Sequence, residues 1–150
     1  MITTLTLTLA PNGGGTSITL QTQDLDGDGP DAPIINVSGN LATGVTYNGT
    51  LVLLNETVNP PENITEEVEE EDLDHQFFYT LGGGLDVTTA YTNFDSEGNP
   101  LGTEFTLTAG EASSGTLTVT LRHEPTKPNT DLADAGGETD IEATFNVTVQ

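Results

Sequence analysis

Asp24, Asp26 and Asp28 stand at alternate positions in the stretch DLDGDGPD, and Asp31 closes the same loop. Carboxylates set this closely on a glycine-bent loop are hard oxygen ligands, and calcium, which takes about six to eight oxygens, is the cation they suit. The spacing follows the first half of an EF-hand loop. The second half departs from it, because Ile35 holds the twelfth position where a bidentate glutamate belongs, and Pro30 interrupts the path. A full shell therefore needs oxygens from elsewhere. The obvious source is Thr65–Asp74, TEEVEEEDLD, where Glu69 and Glu71 are the candidate completing ligands. Like charges in helical spacing destabilise a helix, and a bound cation would relieve that repulsion. The plain alternative is an acidic face turned to water.

No other constellation announces chemistry. His75 and His123 each neighbour acids and read as surface or structurally hydrogen-bonded histidines. Ser113 and Ser114 lack the G-x-S-x-G spacing of a nucleophile elbow. The glycines at 13–15 and 82–84 lack the lysine and helix of a phosphate loop. Carboxylate pairs are too abundant to single out a glycosidase pair. The expectation is a protein that is not an enzyme.

Twenty-four acids face only Arg122 and Lys127, giving a net charge of −22. Such a surface repels nucleic acid and anionic lipid, both of which need clustered bases. It attracts cations and repels its own copies. With no cysteine there are no disulfides and no thiolate metal sites. No apolar run reaches transmembrane length, and no signal peptide is recognisable, so a secreted protein would be met here in mature form. Five Asn-x-Ser/Thr sequons occur, at Asn36, Asn48, Asn55, Asn63 and Asn146, of which Asn48, Asn63 and Asn146 are the candidate glycosylation sites.

The elements that must position these groups are almost all strands. In Ile2–Ala10, ITTLTLTLA, Leu5, Leu7 and Leu9 share one face and the threonines share the other. The PNGGG turn and the alternating Ser17–Gln21 make this a hairpin. A short strand follows at Ile34–Val37, then Tyr47–Val58 and Gln76–Leu81, both with apolar residues on successive positions, which predicts cover on both faces. Strands at 85–92, 103–108, 116–123 and 139–150 complete the set, and Thr65–Asp74 is the one helix, with Thr65 as its N-cap. About eight strands in 150 residues predict a single all-β domain, an antiparallel β-sandwich of immunoglobulin-like size with one acidic helix.

The stretches QDLDGDGPDAP, TYNGTLVLLNETV, ITEEVEEEDLDHQFFY and AGGETDIEATFNVTVQ resemble a family of small secreted lipoproteins of Bacteroidota along nearly the whole chain. The resemblance implies export and a cell-surface or extracellular location. Members are often labelled as type 1 periplasmic-binding folds, which require two α/β lobes and about twice this length, whereas this chain has one plausible helix. The sequence is also similar to subunits of extracellular fibrils.

Two functional expectations follow. The first is a structural filament subunit that gives Ile2–Ala10, through Ile2, Leu5, Leu7 and Leu9, to a neighbour's sheet, with calcium screening the repulsion. The second is a monomeric cell-surface module that binds a cation or a glycan. Three tyrosines and no tryptophan make a poor sugar-stacking platform.

Overall fold

Alternation of threonine and leucine dictates the first strand, β1 (Thr4–Pro11), and Leu5, Leu7 and Leu9 are wholly buried along it. It turns back into β2 (Ile18–Gln23), followed by β3 (Ile34–Val37), β4 (Thr46–Asn55) and the two-residue β5 (Glu62–Asn63). The acidic helix α1 (Ile64–Glu70) and a 3₁₀ turn at Asp72–Asp74 lead into β6 (His75–Gly82). The chain then forms β7 (Val87–Tyr91), β8 (Glu104–Ala109), β9 (Ser113–His123), a four-residue helix α2 (Leu132–Ala135) and β10 (Glu138–Val149). This computed structural model describes all residues from 1 to 150.

The strands form two antiparallel sheets, as the sequence predicts. The larger runs β3-β2-β1-β4-β8-β7, with β5 paired to β4; the smaller runs β10-β9-β6. One continuous core lies between them. Leu5, Leu7, Leu9, Leu20, Leu53 and Phe105 come from the large sheet, and Phe77, Leu117, Leu121 and Phe145 from the small one.

The first strand occupies the middle of its own sheet. It pairs with β2 on one side, Leu7 opposite Leu20, and with β4 on the other, Leu7 opposite Leu51. Its leucine face therefore has a complete set of neighbours within one chain. Ile2 lies partly buried against the same core.

Two strands were expected to be covered on both faces, and they differ. In β4 only one face is covered: Leu51 and Leu53 are buried while Val52 is 43% exposed, because nothing packs on the outside of the large sheet there. In β6 both faces are covered. Phe77 points into the core, and Phe78 is buried on the opposite face, where Gln76 hydrogen-bonds Asn129 of the 124–137 loop.

The helix also starts differently from the sequence reading. Its N-cap is Asn63, whose side-chain oxygen accepts the N–H of Thr65. The Thr65 hydroxyl instead accepts the Leu53 N–H at 2.7 Å, tying the helix to β4. A residue that can cap is also one that can satisfy a neighbouring strand, and burial decided for the strand. The helix ends at Glu70 and the chain tightens into the 3₁₀ turn, shorter than the Thr65–Asp74 span suggested.

Lys127 holds the entry to β6. Its ammonium group donates to the Asp72 carbonyl at 2.9 Å and to Asp95 Oδ2 at 3.0 Å, with the two side chains 6% and 0% exposed. Burial alone would raise the Asp95 carboxyl, but hydrogen bonds from Lys127 and from the Asn99 and Glu97 amides outweigh it and hold that carboxyl below its usual range. One ammonium thus ties the 3₁₀ turn, the 93–100 loop and the 124–137 loop together.

Two outcomes are expected. Leu7→Ala should cost about 2–5 kcal/mol in urea unfolding, because the site lies mid-sheet and cannot collapse. Asp95→Asn should cost about 3–5 kcal/mol near neutral pH, by leaving Lys127 buried without its counter-charge. A carboxyl lowered on folding contributes stability above its unfolded value and loses it as pH falls through the folded one. The gap between wild type and Asp95→Asn should therefore stay constant above about pH 4 and narrow below it.

Candidate functional site

The acidic loop predicted to hold calcium lies between β2 and β3. Asp24, Asp26 and Asp31 border one shallow cavity of about 170 Å³. Part of their capacity is spent on the loop itself: Asp24 accepts the Gly27 N–H at 2.9 Å and Asp26 accepts the Asp31 N–H at 3.1 Å. Asp28 does not border that cavity.

Glu69 and Glu71 sit elsewhere. Glu69 accepts the Thr103 hydroxyl at 2.9 Å, while Glu71 lines a different cavity of about 230 Å³ with Glu67, His75, His123 and Asp140. The six predicted ligands therefore do not form one shell. Crowding of acids along α1 is nevertheless real. A hydrogen bond shared with Glu62, and repulsion from Glu62 and Glu71, hold the Glu67 carboxyl above its usual range.

One group of three metal-ligating side chains does converge: His75, His123 and Asp140, with ligand atoms all within 4.8 Å of one another. In sequence each histidine merely neighbours acids, which reads as a surface or structurally hydrogen-bonded histidine. The usable signal was strand register. His75 opens β6 and His123 closes β9, and the two are direct partners across the small sheet.

The largest concavity is a groove of about 810 Å³ where the edge strands β6 and β7 meet the 124–137 loop. Phe78, Tyr79, Leu81, Tyr91 and Leu132 give it an apolar lining. Each strand has a hydrogen-bonding side without a strand partner, since β6 pairs only with β9 and β7 only with β8. Arg122 lines the groove as well, and its guanidinium donates to the carbonyls of Gly136 and Gly137 and to no carboxylate.

At the far edge of the same large sheet, all four residues of β3 are exposed. Ile34 is 61% and Ile35 53% exposed. No protein-family model, curated protein or solved structure matches this chain. The functional reading therefore rests on the surfaces themselves.

Those two edges share a scarcity of acids. In a chain with 24 acids, residues 32–40 beside β3 contain none, and neither do residues 75–85 and 87–94 along β6 and β7. β3, β6 and β7 themselves carry no acid, while Asp131 lines the groove beside β6 and β7.

Among the sequons, Asn36, Asn48, Asn63 and Asn146 are exposed. Asn55 is buried and accepts from Thr57. Expression in a glycosylating host should leave Asn55 unmodified, which peptide mass mapping would check.

Proposed function

We propose that the protein is an extracellular structural subunit that associates with copies of itself by strand pairing between sheet edges. The observation that carries this reading is β3, an apolar edge strand exposed at every position. Soluble proteins ordinarily guard such edges with charge, proline or cover, since an open edge templates pairing with another chain. This chain has charge to spare and places none of it there.

The opposite edge is complementary. The β6–β7 groove offers strand sides with no strand partner and an apolar lining, although on β6 the Phe77 N–H already donates to the Leu101 carbonyl and the Phe77 carbonyl accepts from the Tyr91 hydroxyl. Pairing β3 of one copy with this edge of the next would combine main-chain hydrogen bonds with burial of alternate apolar side chains. The two surfaces differ, so the contact is heterologous and propagates into a filament rather than closing a dimer. A charge of −22 on every copy opposes assembly, so salt or divalent cations should promote it.

The closed position of β1 bears on which strand is used. Giving Ile2–Ala10 to a neighbour would first require drawing Leu5, Leu7 and Leu9 out of the centre of a completed sheet. Edge pairing leaves the core intact. A cysteine pair at the partnered positions Thr6 and Val52 separates the two routes, in a chain that has no other cysteine.

Three results are expected. Oxidised Thr6→Cys/Val52→Cys protein should still assemble, and loss of assembly on oxidation would point to exchange of β1 instead. Ile35→Glu and Ala90→Glu should each remain monomeric in sedimentation velocity at raised salt. Mixed together, the two variants should form dimers and nothing longer, because each supplies the one edge that the other lacks. A wild type that stays monomeric at high concentration and salt would sink the reading.

A further inference from the structure

We propose that His75, His123 and Asp140 form a binding site for a first-row transition-metal ion of the zinc class. The inference is independent of self-association and rests on three observations at one end of the small sheet.

The first is the state of His75. Its Nδ1 lies 3.0 Å from the Glu71 carbonyl oxygen, which can only accept, so the proton sits on Nδ1. The lone pair is then on Nε2. Histidines that bind metals are oriented in this way, by donation of the other ring N–H to a carbonyl or carboxylate. The His75 side chain is only 8% exposed, and its Nε2 faces His123 Nδ1 at 3.2 Å and Asp140 Oδ2 at 3.7 Å.

The second is spacing. Ligand atoms at the zinc–nitrogen and zinc–oxygen distances of a tetrahedral site stand about 3.3–3.5 Å apart. The two measured separations from His75 Nε2, 3.2 and 3.7 Å, bracket that range. His75 Nε2 and the Asp140 carboxylate face each other closely enough for one cation between them to bind both.

The third is the backbone of β10. Strict alternation from Ile141, Ala143 and Phe145 would turn Asp140 to the outer face with Glu142. A register shift between Thr139 and Ile141 makes Asp140 the extra residue of a β-bulge. Bulges re-aim side chains and concentrate beside functional sites. This one brings the Asp140 carboxylate to the side where the two histidines lie.

The cavity in front of the cluster is lined by Glu67 and Glu71 as well, so a further carboxylate or a water can complete the coordination. The ligand set is two imidazoles and a carboxylate, which suits zinc, copper, nickel or ferrous iron and is a poor match for calcium. A bound ion would clamp β6, β9 and β10 together and seat the end of α1 on them. No catalytic step is inferred.

Zinc chloride, cobalt chloride and calcium chloride are the probes, applied to the full chain. Zinc at about a hundred-fold excess over its dissociation constant should raise the thermal midpoint by roughly 5–10 °C. Calcium at the same concentration should raise it far less. Cobalt should give the intense visible absorption of a tetrahedral histidine-containing site at one equivalent per chain. His123→Ala and Asp140→Asn change half-exposed side chains and should fold, as circular dichroism would verify. Each should weaken zinc binding about ten-fold or more. The site is overturned if zinc leaves the wild-type midpoint unmoved, if both variants keep the wild-type zinc response, or if calcium matches zinc. The first result would leave a histidine–histidine hydrogen bond, and the other two would assign binding to the acidic surface at large.

Discussion

Charge imbalance is the constraint under which this fold is built. Twenty-four carboxylates and two permanent cations cannot form a surface network of ion pairs, so each cation is used where one charge orders the most chain. Lys127 is withdrawn from water and ties three connecting segments to the start of β6. Arg122 folds the Gly136–Gly137 turn back over the small sheet. Removing a partner from a buried pair strands the remaining charge, which is why one lysine can matter more than any exposed acid. The acids themselves sit in loops, on α1 and on strands such as β10, and β3, β6 and β7 carry none.

The acid-free strands β3, β6 and β7 and the acidic body act in opposite directions. Repulsion between copies is long-ranged but screened by salt, whereas strand pairing acts only at contact. On the proposed reading, a chain with this distribution would stay dispersed in dilute medium and join its copies when cations are plentiful. The His75–His123–Asp140 cluster belongs to a different layer of organisation, since it sits inside the small sheet and bears on the rigidity of one subunit. Neutralising the acidic surface and filling a histidine site are separate roles for cations.

Much of the architecture is legible because a strand's side-chain period is two. The leucine–threonine alternation of β1, the hairpin into β2 and the long final strand can all be read directly, and they form as read. What alternation cannot convey is which faces are covered, and Val52 is exposed where a run of apolar residues suggested cover. Local rules also cannot weigh tertiary competition, so the Thr65 hydroxyl serves a strand N–H while Asn63 caps the helix. The histidine cluster was hidden for a third reason. It depends on the register of β6 against β9 and on a one-residue bulge in β10, and neither leaves a mark in composition or spacing. The acidic loops drew attention by density, yet density alone does not make carboxylates converge.

The sealing of Lys127 has a consequence for how this molecule meets other chemistry. Apart from that ammonium group, no side chain of the chain is a primary amine, and that one is 94% hidden beside a carboxylate. Reagents that target lysine therefore find no side chain to react with on the folded surface. Proteases that cut after basic residues have two addresses in 150 residues: Arg122 within a paired strand, and Lys127, which is followed by Pro128. The folded chain should thus resist cleavage after basic residues and labelling of lysine side chains. That resistance comes from the same scarcity of bases that shaped its fold.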